Sequence, residues 1–265
     1  MSIQRFGIGL LTLIIACATI YAQEVTPPRI SRGEHAVIEP KAQPPANAIT
    51  AIVVKSWGDN PVWSDLNTNW SSYGTIPVSI DHTTLIGQDF TYADLVNSKA
   101  DVVILSDPAG GVQQYAPSEV EALGKYVKAG HPILGTYVMF QWGSVDNRAL
   151  APLFGLSSSL TYGNVNISNE FMKLYEPCLF HKIYGTSWQS RGYNSSQVPA
   201  SGTWTGNLGV AGAVADSDNY AGIVAGVHSP SYTAIYISNM PEYQNVGGDD
   251  EQLLYNAITC YASPQ

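Results

Sequence analysis

Positive charge is scarce in this chain. Twelve Lys and Arg stand against 21 Asp and Glu, and charged residues make up only 12% of the 265. A surface of that balance repels phosphate backbones and anionic lipid, so nucleic acid and membrane surfaces are poor partners. No apolar run reaches the roughly 18 residues of a bilayer span. No repeat period is visible, which argues against a solenoid or propeller. The five His are scattered without ligand spacing, so no metal centre is expected, and no cofactor motif is present.

Cysteine is also rare, with three in all. Cys17 falls in an N-terminal segment that has one positive charge (Arg5), an apolar run from Phe6 to Ile15 and small residues ending at Ala22. That is the pattern of a secretory signal peptide over 1–22. Ile14-Ile15-Ala16-Cys17 also loosely resembles a bacterial lipobox, which would leave a lipid on Cys17. Residues 23–48 are rich in Pro and Ala without periodicity and read as a linker. Residues 49–263 are enough for one domain with a single large core. Without the leader the formal charge falls to about −10, and the expected location is extracellular or periplasmic. Cys178 and Cys260 remain, an even pair in an oxidising compartment. Either they form a disulfide or they are two buried thiols. Asn69, Asn166 and Asn194 head N-glycosylation triplets. Chance alone predicts roughly two, so they count as acceptors only in a source that glycosylates.

From Ile49 onward β-branched runs alternate with helical periodicity. Ala51 to Lys55, Ile76 to Ile80, Asp101 to Leu105 and Pro132 to Phe140 are predicted strands. Helices are predicted from Asp59 as a cap, with Val62, Trp63, Leu66 and Trp70 on one face, and over Tyr92 to Asn97. Another is expected after the Ser118–Glu121 capping box, with Val120, Leu123 and Val127 buried and Gly130 ending it. A further helix is expected over Ser144 to Phe154. Strand, helix, strand in this rhythm implies an open, mostly parallel α/β sheet. Beyond Gly155, segments near Ser159 to Ile167, Tyr220 to Val227 and Thr233 to Ser238 read as antiparallel additions. Gly185 to Asn219 reads as a long loop, and Asp250 to Tyr261 as a final amphipathic helix with Leu253, Leu254, Ala257 and Ile258 inward.

The stretch PILGTYVMFQ (Pro132 to Gln141), after a capped helix and a glycine, resembles the nucleophile strand of the class I glutamine amidotransferase-like fold. Active members read roughly P-I-L-G-I-C-x-G-H-Q there, and H-P-E near the C-terminus. Pro132, Ile133, Leu134, Gly135 and Gln141 match. Tyr137 stands at the nucleophile, Met139 at the elbow glycine and Phe140 at the histidine, while Met240-Pro241-Glu242 keeps Pro and Glu but loses the base. A thiolate must attack the amide and a His must carry the proton. A phenol with a pKa of about 10 is a poor nucleophile, and a thioether neither donates nor accepts a proton. Met139 is also expected to obstruct the tight turn that glycine permits. The resemblance therefore implies a degenerate, non-catalytic member of the fold, with Tyr137, Met139, Met240 and Glu242 marking the lost site. It also likens the loop after the third strand, Asp107 to Gly111, to the one supplying oxyanion amides; a plain tight loop is the alternative.

Ligands of open α/β sheets sit at the carboxyl ends of the strands. Those ends collect Trp57, Asp59, Asp81, His82, Asp107, Gly110, Gly111, Gln141 and Trp142. One function they could serve is binding of a glycan or an extracellular protein, with Trp57 and Trp142 stacking on sugar rings; both could equally be core. Another is hydrolysis by Asp59, Asp81 or Asp107, with or without a metal. A third is assembly through Tyr184, Trp188, Tyr193 and Trp204.

Overall fold

The computed structural model describes residues 45–55, 61–159, 161–166, 170–172, 187–188, 195–199, 209–210, 213–215, 224–228, 233–243 and 249–261. The first half alternates strictly: β1 (Ile49–Val54), α1 (Pro61–Asn69), β2 (Val78–Leu85), α2 (Tyr92–Asn97), β3 (Val102–Ser106), α3 (Pro117–Lys128) and β4 (Ile133–Thr136). A hairpin of β5 (Gln141–Trp142) and β6 (Val145–Asp146) leads into a 3-10 helix, Arg148–Phe154. Short strands follow: β7 (Tyr162–Asn166), β8 (Glu170–Met172), β9 (Ser187–Trp188), β10 (Ser195–Pro199), β11 (Gly209–Val210) and β12 (Ala213–Ala215). The chain closes with β13 (Val224–His228), β14 (Thr233–Ile237) and α4 (Asp249–Tyr261).

The main sheet has the order β11-β13-β14-β4-β3-β1-β2. The five strands from β14 to β2 are parallel, and β13 and β11 extend the sheet antiparallel. Successive residues of a strand face opposite sides, and here both sides are covered. Val53 and Ile104 pack with Trp63, Leu66, Leu253 and Ile258 on one face. Ile52, Val54, Val103 and Leu105 pack with Leu95, Leu123, Tyr126 and Phe154 on the other. Burial on both faces explains why the central strands are unbroken apolar runs. No helix among the described residues is long and apolar enough to cross a membrane.

Several expected elements change. The strand begun at Pro132 stops at Thr136, because Tyr137 turns the chain at φ +43°. Ser144 to Phe154 is not one helix: Gly143, at φ +56°, closes the β5–β6 hairpin, and Pro152 has no amide hydrogen to continue an α-ladder. β2 runs on to Leu85, so Asp81 and His82 lie inside a strand instead of beyond its end. The α3 cap is shifted by two residues. Pro117 takes the first helical position, Ala116 is the cap, and Glu119 instead of Glu121 reaches back to the Ala116 amide at 2.7 Å.

Candidate functional site

Parallel strands β3 and β4 end side by side, with Ser106 and Thr136 as register partners. Both hydroxyls donate to Oε1 of Glu242, Ser106 at 2.5 Å and Thr136 in a very short contact. Glu242 belongs to the Met240-Pro241-Glu242 segment just after β14, the next strand along. It is fully buried, and its Oε2 has no hydrogen-bond partner among the described residues. Burial raises its pKa to about 7, although the two hydroxyls favour the charged form and pull the other way.

Directly after Ser106 the backbone of Asp107 enters the left-handed region at φ +41°, and the residue is only 2% exposed. Its amide donates to Thr136 Oγ1 at 3.1 Å. Its Oδ1 accepts the Gly110 N–H at 3.2 Å. Burial, and then the charge of Glu242, push the Asp107 carboxyl well above the usual carboxylate range, against the opposing pull of the Gly110 and Val138 backbone. A Cβ on Gly110 would lie 2.3 Å from Asp107 Oδ2, so only glycine allows the carboxyl to rest there.

The turn after β4 is an elbow despite its bulky residues. Tyr137 holds φ +43°, its N–H donates to the carbonyls of Ile237 and Asn239, and its own carbonyl accepts Met139 N–H at 2.8 Å. The expected obstruction by Met139 does not occur: the thioether folds back over Gly135, with its methyl 1.8 Å from where a Cβ there would sit. A non-glycine residue at positive φ costs free energy, and it persists here because the surroundings fix it. The Tyr236 hydroxyl clamps the Tyr137 carbonyl at 2.7 Å, and Ala109 N–H bonds the Val138 carbonyl at 2.9 Å.

The space around the elbow is occupied by the chain itself. Tyr137 (6% exposed), Val138, Val145 and Met240 pack with Ala109 in one apolar cluster. Tyr137 and Met240 thus stand within one buried apolar cluster, where Met240 has no group to act as a base.

The other predicted site residues disperse. Asp81 and His82 sit on β2, separated from β3 by β1. The Asp81 carboxylate is used within the irregular stretch of its own strand, accepting the amides and hydroxyls of Thr83 and Thr84, and His82 Nε2 lies 3.5 Å from Ser64 Oγ. Gly111 donates its amide to the Asp107 carbonyl. Gln141 accepts the Tyr162 amide with Oε1, and its carbonyl accepts Gln197 Nε2. Trp142 is on the outer hairpin, 47% exposed. It lines a groove of about 300 Å3 with Gln141, Gly143, Thr161, Tyr162 and Gly163. Among the described residues no group of His, Cys, Asp and Glu is arranged to hold a metal.

Asn69 is exposed at the end of α1, its amide donating to Asp65 at 2.7 Å. Trp57, Asp59, Cys178 and Asn194 lie outside the described residues, as do Cys17, Tyr184, Tyr193 and Trp204. So do the side chains of Cys260, Asn166 and Trp188.

Sequence reasoning overlooked Ser106, Thr136 and Lys55. The first two had a faint signal, a hydroxyl closing an apolar strand (VVILS and ILGT). Lys55, 5% exposed at φ +39°, ends β1 and donates to Glu119 at 2.6 Å. No pattern near it announces a partner 64 residues away.

No family model matches this chain, and no curated protein matches its sequence. Solved structures do resemble it. A ThuA-like protein from Parabacteroides merdae aligns over 82% of this chain and 92% of its own, with a TM-score of 0.51 at 10% identity. A cytoplasmic protein from Salmonella typhimurium aligns over 80% and 98%, at 0.53 and 12%. The mmIFT52 N-terminal domain aligns over 77% and 93%, at 0.50 and 11%. Such identities carry fold and nothing about activity. The chain has the class I glutamine amidotransferase-like α/β fold that ThuA-like proteins have.

Proposed function

We propose that this is a secreted, non-catalytic domain of the glutamine amidotransferase-like fold that binds carbohydrate through the groove beside Trp142. The contrast between two neighbouring places carries the reading. At the elbow, Tyr137, Val138 and Met240 are buried against one another; a few residues on, Trp142 is held out at the rim of a groove. The apolar C–H face of a pyranose suits an indole ring, and its hydroxyls need polar partners within reach. Thr161, exposed at the same groove, supplies a hydroxyl. A hydrolytic role has less support, since Asp107 and Glu242 are enclosed and Asp81 is committed to Thr83 and Thr84 of its own strand.

The test is intrinsic tryptophan fluorescence of the secreted chain across a panel of oligosaccharides, beside Trp142→Ala. A saturable change in the wild type that the variant lacks is expected. A flat response from both, or an undiminished response from the variant, removes the carbohydrate reading.

A further inference from the structure

The groove beside Trp142 has two lips from separate segments: Gln141 to Gly143 on the hairpin, and Thr161 to Gly163 around the start of β7. Among the described strands, β5 pairs only with β6 and β7 only with β10. Neither lip is therefore laddered to the main sheet, and a two-stranded ribbon is marginally stable by itself. Gln197, in β10, supplies the missing attachment. Its side chain meets the hairpin's entry as a neighbouring strand would: Oε1 accepts the Phe140 N–H at 2.8 Å, and Nε2 donates to the Gln141 carbonyl at 2.6 Å. Its backbone is fixed to the sheet at the same point. The N–H donates to the Ser238 carbonyl at 2.9 Å, and the carbonyl accepts the Tyr236 hydroxyl at 3.0 Å. β10 in turn carries the second lip, pairing Val198 with Gly163 and Pro199 with Tyr162. The lips are also joined directly, by the Tyr162 N–H to Gln141 Oε1 at 2.9 Å. Gln197 is fully buried, so the groups it serves have no solvent to turn to if it is removed.

We propose that Gln197 is a positioning residue of the Trp142 groove, setting the spacing of the two lips and holding the indole in place before a sugar arrives. This rests on the reading of the groove as the carbohydrate site, and names the residue that makes the groove ready. A ligand then need not order the lips as it binds, and preorganised sites gain affinity in that way.

The experiment compares the full wild-type chain with Gln197→Leu, which is of similar size and has no polar side-chain atom. Amide hydrogen exchange is read at Phe140 and Tyr162, with Val103 and Ile104 of β3 as internal references. Exchange at both amides is expected to quicken by about tenfold or more relative to the references. Tyr162 is the discriminating position, because its N–H is bonded to Gln141 and not to Gln197. Acrylamide quenching of Trp142, taken as the difference from Trp142→Phe, should rise as well. Affinity for an oligosaccharide that changes the wild-type fluorescence should fall by about 3–10-fold. If Gln197→Leu does not fold, Gln141→Met carries the test. It removes the side-chain bond to Tyr162 and keeps the carbonyl that Gln197 holds, and quenching and affinity should shift in the same directions. Unchanged Tyr162 exchange and Trp142 quenching overturn the proposal, as does an equal rise at the β3 references or an equal sugar affinity. A wild type that responds to no oligosaccharide removes the carbohydrate reading, and exchange and quenching then decide by themselves whether Gln197 sets the groove.

Discussion

Ser106 Oγ donates to Glu242 Oε1 at 2.5 Å, joining residues 136 positions apart at the ends of the central strands. Thr136 donates to the same oxygen, so one buried carboxyl ties β3, β4 and the segment after β14 together. The tie has a pH signature. Burial moves the Glu242 pKa from 4.5 up to about 7 in the folded chain. Below pH 4.5 the group is protonated in both states and costs nothing. Between pH 4.5 and 7 the unfolded chain ionises first, so stability falls as pH rises, by on the order of 3 kcal/mol in total, and then levels off. Denaturant melts of the wild type and Glu242→Gln across pH 4.5–8 should differ by that slope, with the variant lacking it. Parallel curves would contradict the assignment.

Lys55 and Glu119 make the second buried tie. Glu119 Oε2 accepts Lys55 Nζ at 2.6 Å and the Ala116 amide at 2.7 Å, while Oε1 accepts the Phe90 amide at 3.2 Å. The contact from Lys55 to Asp89 at 2.8 Å adds little, because that carboxylate is 91% exposed. Glu119→Ala leaves the Lys55 ammonium only the Gln114 carbonyl and the exposed Asp89, and two amides without their acceptor, so it should destabilise the chain by about 3–5 kcal/mol. Adding Lys55→Met should restore part of the loss, since the uncompensated charge is then gone. Urea denaturation of the single and double variants measures both effects.

Gly135 and Met139 should behave as a coupled pair. A Cβ at Gly135 would overlap the Met139 methyl and approach the Phe154 ring at 3.0 Å. Gly135→Ala alone should cost about 1–3 kcal/mol as overpacking, and Met139→Ala about 2–5 kcal/mol as a cavity. The added methyl partly fills that cavity, so the double variant should lose less than the sum by at least about 0.5 kcal/mol. Strict additivity would show that the two do not share the space.

The sequence made the frame legible where local pattern and burial agree. VVILS reads as a central strand because both its faces are covered, and Tyr92 to Asn97 is a helix at the predicted bounds because Thr91 and Asp94 cap it. PILG and PE also marked the right strand ends. The helix expected from Ser144 gives way to a hairpin at its start, because hydrophobic spacing alone cannot reveal a two-residue turn at Gly143-Ser144. Most of the site escaped for another reason. The contact of Glu242 with Ser106 and Thr136, and the bond from the Asp107 amide to Thr136, are made by sheet topology between distant segments. Trp142 was assigned to the crevice, yet it projects from a hairpin whose existence the pattern hid.

The elbow is filled by the chain's own side chains, and the central proposal is that it performs no amide chemistry. It is tested most directly by incubating the purified chain with glutamine and an electrophilic glutamine analogue, measuring ammonia release and covalent adducts by intact mass. The account predicts no ammonia above the uncatalysed rate and no adduct at Tyr137. It predicts the same for Tyr137→Cys combined with Met240→His, because both positions lie inside the buried cluster with Ala109, Val138 and Val145. Ammonia release by the wild type that is lost in Tyr137→Phe, or a stoichiometric adduct on Tyr137, would contradict it.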